Sequence, residues 1–76
     1  MNLFDLKKGE KCRIDKIFSD DGIRRRLLDI GLIENTIVKC VEESPQHDPK
    51  AFLIRGAVIA LRQEDCNNIL IKDLEI

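Results

Sequence analysis

The sequence has no Trp or Tyr, and only three Phe occur among its 76 residues. An apolar core in this chain must therefore be built from aliphatic side chains. The aromatic platform on which many RNA-binding barrels stack bases is missing as well. Thirteen basic and 14 acidic residues give a formal net charge of −1, which removes the global electrostatic signature of a dedicated nucleic-acid binder. Any basic surface on this protein is local.

The cysteines form no recognisable framework, because Cys12, Cys40 and Cys66 are widely spaced and odd in number. This pattern is typical of a protein in a reducing cytosol. The start of the chain lacks the apolar run of a signal peptide, and no 18 successive residues are apolar. We therefore expect a cytoplasmic protein without direct membrane insertion, whose partner can still be a membrane protein.

Motifs of catalysis are also missing. The chain has a single His, no Ser or Cys placed with it by any motif, and no Gly-rich phosphate loop of the G-x-x-x-x-G-K-[ST] kind. A chain of 76 residues forms one domain that hides only about 60% of its unfolded surface, which leaves little concave surface to enclose a substrate. The sequence therefore predicts one domain over residues 1–76 that is not an enzyme.

One helix is predicted, over about residues 21–30. Ile23, Leu27 and Ile30 follow the helical period and fall within roughly 60° of one another, so they form one apolar stripe. Gly31 is the residue type that ends a helix in the left-handed conformation. The oxygen that caps the first amide groups is expected from one of three residues, Ser19, Asp20 or Asp21.

The rest of the chain reads as short strands joined by turns. Alternation of apolar and polar residues, or β-branched composition, predicts strands at Lys11 to Phe18, Thr36 to Glu43, Ala51 to Arg55, Val58 to Arg62, Ile69 to Ile71 and Leu74 to Ile76. In the first of these the apolar phase slips at Ile17, which indicates a bulge or the end of the strand. Gly56 and Ala57 are expected to form the turn of a hairpin.

Between the strands, residues 44–50 contain two prolines and predict an exposed loop, and residues 63–68 predict one helical turn. About five or six short antiparallel strands with one helix cannot bury both faces of a flat sheet. A small, strongly curved sheet that closes on itself removes the exposed edges, and the helix then caps one open end. We therefore predict a mainly β, SH3-like small barrel, with an OB-type barrel as the nearest alternative.

Five segments in this order resemble the FeoA family, the small cytosolic proteins of bacterial ferrous iron uptake. They are Leu3, Leu6 and Gly9 of the opening, Arg26 to Leu32, Asp48-Pro49, Ile54-Arg55-Gly56 and Ala60-Leu61-Arg62. The chain departs from the family pattern at Glu34-Asn35, where the family usually has Pro-Gly, and Asn tolerates the left-handed conformation of such a turn. It also departs at His47, in a loop that is often Gly-rich. Iron-dependent repressors share this fold but carry a helix-turn-helix in front of it.

The resemblance implies an accessory role beside FeoB, the membrane iron transporter with a cytosolic GTP-binding domain. It predicts a non-catalytic protein that docks to FeoB and modulates it. Such a protein is cytoplasmic and peripheral at the inner face of the membrane through its partner. The sequence does not specify an oligomeric state, the docking face, or whether the effect is activating or inhibitory.

Candidate partner-binding residues are large apolar and arginine side chains that lie outside the apolar stripe. Leu28 falls about 100° from the stripe and Arg24 lies about 40° from Leu28, so together they can form an exposed docking knob. The alternative is that Leu28 packs under a loop and the arginines only solvate the helix. The complete set of predicted partner-binding residues is Arg24, Arg25, Leu28, Arg55 and Arg62, of which Arg55 and Arg62 end adjacent strands and lie together only if the register allows it.

The sequence assigns no definite cofactor, and the candidate ligand is a divalent transition metal, either Fe²⁺ or adventitious Zn²⁺. Imidazole and carboxylate suit Fe²⁺, which makes His47 and Asp48 the candidate ligands. Cys12 and Cys40 occupy inward-facing strand positions, where free cysteines act as small core residues. Two alternative functions therefore stay open: a metal-binding regulator or carrier, and a small RNA-binding barrel that uses its arginines.

Overall fold

The computed structural model describes residues 1–18 and 21–75, with the side chain of Asp21 left out. Within these residues the fold is mainly β, as predicted. A 3-10 turn at Leu3–Asp5 precedes the regular elements, which are β1 Lys11–Ile17, α1 Asp21–Asp29, β2 Ile37–Glu43, β3 Lys50–Ile54, β4 Ala57–Leu61, α2 Gln63–Cys66 and β5 Ile69–Glu75. The predicted single turn of helix is therefore α2. The predicted cap residues Ser19 and Asp20, and Ile76 of the last predicted strand, lie outside the described residues.

The strands form one antiparallel sheet in the order β4-β3-β2-β1-β5. β2 is the central strand, and β1 pairs with β2 on one side and with the edge strand β5 on the other. The phase slip expected in β1 is present as a register shift between Ile14 and Lys16, which returns Ile17 to the buried face. β4 and β5 form the two edges of the sheet, and no ladder between them is present in the described part of the chain. The expectation that closure removes the exposed edges is therefore not met by strand pairing within these residues.

The core is aliphatic, as the composition requires. It is formed by one face of the strands together with the opening turn and the helices. Phe52 is the one aromatic side chain among the fully buried ones of the described residues, which also include Leu3, Leu6, Ile14, Leu27, Leu32, Val38, Ile54 and Ile69. Cys12 and Cys40 are buried on their strands as predicted, and Cys66 of α2 is buried as well.

α1 packs on this core through the predicted stripe. Leu27 is fully buried, and Ile23 and Ile30 are partly buried against the core. Gly31 ends the helix with φ +84°, and Asn35 closes the following turn with φ +71°, so both residues take the left-handed conformation expected of their types. None of the helices in the described ranges is long and apolar enough to cross a membrane.

The hairpin turn differs from the prediction by one residue. The turn residues are Arg55 and Gly56, with φ +48° and +84°, and Ala57 already belongs to β4 because it pairs with Ile54. Two successive residues with positive φ match the twist of a two-residue hairpin. Arg55 has this positive φ although it is not a glycine, and its side chain extends to the end of α1, where Nε donates to the carbonyl oxygen of Gly31.

Lys50 was expected in the exposed loop and is instead the first residue of β3, with its side chain buried. Its Nζ donates to the carbonyl oxygens of Phe4 at 2.6 Å and Leu6 at 3.0 Å, and it lies 4.6 Å from the centre of the Phe4 ring. A buried ammonium group is tolerated only when such partners replace water. Lys50 therefore fastens the opening turn to the sheet.

Candidate partner-docking surface

A groove of about 340 Å³ runs along one side of α1. α1 contributes Arg24 and Leu28, β1 contributes Ile17, and the segment after the helix contributes residues 32–35. The Leu28 side chain is 52% exposed, so it stands free beside the groove instead of packing under a loop. A large apolar group presented beside an open groove is the arrangement that a protein partner can bury.

Arg24 is held in place at this groove. Its Nη1 donates to the carbonyl oxygen of Ile17 at 3.3 Å, and its Nη2 lies 4.0 Å from the carboxylate of Glu34. Both side chains of the ion pair are about half exposed, so solvent screens the pair and leaves it worth little to stability. The groove lining therefore combines apolar side chains with one cation and one anion, a mixture that protein interfaces also use.

The other predicted partner-binding residues do not join this groove. Arg25 is exposed on α1 and is absent from the groove lining. Arg55 is also exposed, but its Nε donates to the carbonyl oxygen of Gly31 at 2.9 Å and so caps the C-terminal end of the helix. The antiparallel register places Arg55 at the turn of the β3–β4 hairpin and Arg62 at its opposite end, so these two arginines do not lie together.

The loop that carries His47 and Asp48 directs the two side chains to different partners. Nδ1 of His47 lies 3.1 Å from the carboxylate of Glu43, whereas Oδ1 of Asp48 accepts a hydrogen bond from the backbone N–H of Gln63 at the start of α2. The hydrogen bond with His47, helped by the N–H of Lys8, lowers the pKa of Glu43. Among the described residues, no three His, Cys, Asp or Glu side chains come close enough together to hold a metal ion.

The buried thiols add no ligand to this loop. Desolvation raises the pKa of Cys12 to about 11 and that of Cys66 to about 12, and it raises the pKa of Cys40 as well. The thiolate, which binds metals and reacts with electrophiles, is therefore disfavoured at neutral pH at all three positions. The cysteines act as core residues, as predicted for Cys12 and Cys40.

The ion pair that joins the two helices has no signal in the sequence. Nη2 of Arg26 lies 2.6 Å from Oδ2 of Asp65, whose side chain is only 8% exposed. In the sequence Arg26 is only the first residue of one of the FeoA-like segments, and Asp65 belongs to no motif. Ile33 and Asn35 line the groove but were not predicted as site residues, although the left-handed turn at Asn35 that positions them was expected.

Comparison with known proteins assigns this architecture to a family. The model of the FeoA domain matches residues 1–73. Among curated proteins, a fusion of Fe²⁺ transport protein A with the Fe²⁺ transporter FeoB from Porphyromonas gingivalis is 28% identical over 69 residues. This match covers 91% of the present chain but spans only 8% of the fusion protein.

Two solved structures match the fold. The solution structure of FeoA from Chlorobium tepidum has a TM-score of 0.86 at 27% identity, and the match covers 93% of this chain and 68% of that one. The crystal structure of Stenotrophomonas maltophilia FeoA in complex with zinc, described as an SH3 domain protein, has a TM-score of 0.85 at 21% identity. That match covers 99% of this chain and 95% of the other. The prediction of an SH3-like fold is thereby confirmed.

Proposed function

Because this chain belongs to the FeoA family, we propose that it is a non-catalytic accessory protein of bacterial ferrous iron uptake, which docks to a FeoB-type transporter and modulates it. The protein acts on the cytoplasmic side and is held at the inner face of the membrane by its partner. Arg24 and Leu28 form the centre of the docking surface, and Arg25 contributes from the adjacent face of α1.

The observation that carries the proposal is the Porphyromonas fusion protein, in which a domain like this one and the transporter share a single polypeptide. Fusion makes an encounter between two modules intramolecular and so raises their effective concentration. Such a tether is useful when the two modules act together. The contact itself is made through the surface of the FeoA domain.

The groove beside Leu28 supplies a surface of the required kind. Leu28 is about half exposed although leucine is costly to leave in water, and Arg24 is oriented by its hydrogen bond to the carbonyl oxygen of Ile17. A side chain that is fixed before binding loses less conformational entropy when the partner arrives. The partner surface that fits has an apolar pocket for Leu28 with polar groups around it.

We expect Leu28→Ala to weaken binding to the FeoB of the same organism, because truncation of an apolar residue central to an interface removes on the order of 1–2 kcal/mol of binding free energy. Binding is measured by pull-down and calorimetry with the cytosolic domain of FeoB and with full-length FeoB in detergent, each with and without a GTP analogue. Arg24→Glu is expected to weaken binding too, by reversing charge at the rim.

The matched control is Leu74→Ala. Leu74 is 41% exposed on β5, which meets β1 at Lys11, at the end of β1 away from Ile17. This variant is expected to bind like the unmodified protein. Two results would contradict the proposal: no binding of the unmodified protein to either form of FeoB in any nucleotide state, or a loss of 2–5 kcal/mol of folding stability in Leu28→Ala, which is typical of a buried leucine.

Metal binding is a second candidate function, supported by the zinc bound to the related Stenotrophomonas protein and by the contact of the exposed His47 with the partly buried Glu43. Asp48 would have to leave Gln63 to join such a site. Anaerobic titration of the unmodified protein and of the variant His47→Ala with Fe²⁺ tests for this metal site. Absence of binding tighter than millimolar would contradict metal binding.

RNA binding stays a prediction, and a flat salt dependence or no gel shift at 50 mM salt would contradict it.

A further inference from the structure

β4 is an edge strand whose outer side is unpaired. Its only ladder is with β3, and no backbone hydrogen bond joins residues 57–61 to any other element within the described part of the chain. Alternate backbone N–H and C=O groups of β4 therefore face away from the sheet. Such a row of groups is a template for another strand.

β4 also lacks the features that usually protect an edge. Its sequence, Ala-Val-Ile-Ala-Leu, has no charged residue and no proline, and Val58 is 65% exposed. The opposite edge is protected in two ways. The first two residues cover part of β5, since Asn2 bridges Leu70 and Ile71 donates to the carbonyl of Met1, and the remainder of β5 carries Lys72, Asp73 and Glu75.

A second groove, of about 390 Å³, lies between β4 and α1. Its apolar lining comes from Ile30, the residue directly after α1, together with Ile59 and Leu61 of β4. Arg26 and Asp65 line it as well but neutralise each other at 2.6 Å, while Arg62 and Glu64 form the polar end. A strand added to β4 would lie beside this groove and could place alternate apolar side chains in it.

The two grooves lie on opposite sides of one helix. Leu28 lines the first groove and Arg26 the second, and these residues are separated by roughly 200° around α1. A helix with its side chains is only about 10–12 Å wide. A standard interface covers about 800 Å² on each partner, which is wide enough to span both sides of such a helix. A single partner that buries Leu28 can therefore reach β4.

We infer that the FeoB-type partner places an extended, uncharged segment rich in β-branched residues along β4 as an added strand, with apolar side chains in the groove beside Ile30 and Ile59. This inference rests on the proposed function. A second copy of this chain is the less suitable occupant, because pairing of two five-residue edges alone buries far less than the 1,200–2,000 Å² of a stable interface. A segment of a partner that is already docked at Leu28 is held close to β4, so its effective concentration at that edge is high.

Hydrogen exchange of the complex with full-length FeoB in detergent tests this inference. In the free protein, the β4 amides that face away from β3 are expected to exchange rapidly. In the complex, exchange of these amides is expected to slow by at least about tenfold, together with exchange of the amides of α1 near Leu28.

The variant Val58→Lys places a charge on the edge and is expected to weaken binding about tenfold. The control is Ile37→Lys, because Ile37 is 52% exposed on β2, a strand paired on both sides.

The outcomes separate this inference from the proposed function. No binding of FeoB at all overturns both. Binding with protection confined to α1 and residues 32–35, or equal effects of Val58→Lys and Ile37→Lys, overturns the added strand and leaves docking at Leu28 intact. Slow exchange of all β4 amides in the free protein at high concentration, lost on dilution, identifies a second copy as the occupant and also overturns the inference.

Discussion

Single side chains at chain reversals hold distant parts of this protein together. Arg55 lies at the β3–β4 turn with positive φ, and its Nε donates to the carbonyl of Gly31 just after α1, which also accepts a longer hydrogen bond from the hydroxyl of Thr36. Lys50 performs a similar task for the carbonyls of Phe4 and Leu6. At this scale the structure depends on cations that satisfy backbone oxygens of other segments.

Gly31→Ala is expected to destabilise the fold more than Gly9→Ala does. Both glycines have positive φ, which costs an alanine about 1–2 kcal/mol, but a Cβ at residue 31 would lie 2.6 Å from Cδ of Arg55, whereas a Cβ at residue 9 meets nothing within 4 Å. Displacement of Arg55 loses its hydrogen bond, worth about 1 kcal/mol. Urea unfolding of the two variants measures the difference, and equal losses of stability would contradict the role of Arg55.

Lys50→Met is expected to lower stability by about 2–4 kcal/mol, because it leaves the carbonyls of Phe4 and Leu6 without their buried donor while nearly conserving volume. Lys39→Met, on the exposed face of β2, is the control and should change stability by less than about 0.5 kcal/mol. Guanidinium unfolding followed by circular dichroism provides both values. A neutral Lys50→Met would show that water replaces the ammonium group.

Among the elements, α1 has the central position. Its buried stripe packs on the core, its two sides border the two grooves, and its charged side chains connect it to its neighbours. The ion pair of Arg26 with Asp65 joins it to α2. Since α2 is a single turn, contacts with the rest of the protein position it: this ion pair, the hydrogen bond from the N–H of Gln63 to Asp48, and the burial of Cys66.

Arg26→Ala is expected to destabilise the fold by about 1–2 kcal/mol, because it leaves the buried carboxylate of Asp65 without its cation. Arg25→Ala is the matched control, since Arg25 is the exposed neighbour on the same helix, and it should stay within about 0.5 kcal/mol. Thermal unfolding compares the two. A double variant, Arg26→Ala with Asp65→Asn, should recover part of the loss, and failure to do so would argue against the pair.

The reactivity of the three thiols measures whether the core is folded, because Cys12, Cys40 and Cys66 are buried in one core and come from β1, β2 and α2. Burial raises their pKa, to about 11 for Cys12 and about 12 for Cys66. Because the pKa of each thiol is higher in the folded state, each thiol contributes to the free energy of unfolding. This contribution is complete below the unfolded thiol pKa of about 8.5 and is lost as pH rises toward the folded-state pKa.

We therefore expect the folded protein to react very slowly with a thiol reagent at pH 8, and all three cysteines to react rapidly in denaturant. Stability should also fall as pH rises above about 9. Labelling followed by mass spectrometry, together with urea unfolding at several pH values, tests both expectations. Fast labelling of one cysteine under native conditions would show that the core opens locally at that element.

The sequence by itself determined the parts of this protein that depend on local periodicity and residue type. The spacing of Ile23, Leu27 and Ile30 placed the helix, Gly31 and Asn35 marked its end and the following turn, and alternation placed Cys12 and Cys40 in the core. These features depend on neighbours within a few residues. Their physical signal is therefore present in the chain before it folds.

Only the tertiary structure decided which distant groups meet. The hairpin register separated Arg55 from Arg62, and folding brought Lys50 to Phe4 and Arg26 to Asp65, residues far apart in sequence. The unpaired edge of β4 and the groove beside Leu28 also arise from strand order and helix packing. Such contacts depend on which segments become neighbours when the chain packs around one core. The local sequence pattern carries no information about which segments these are.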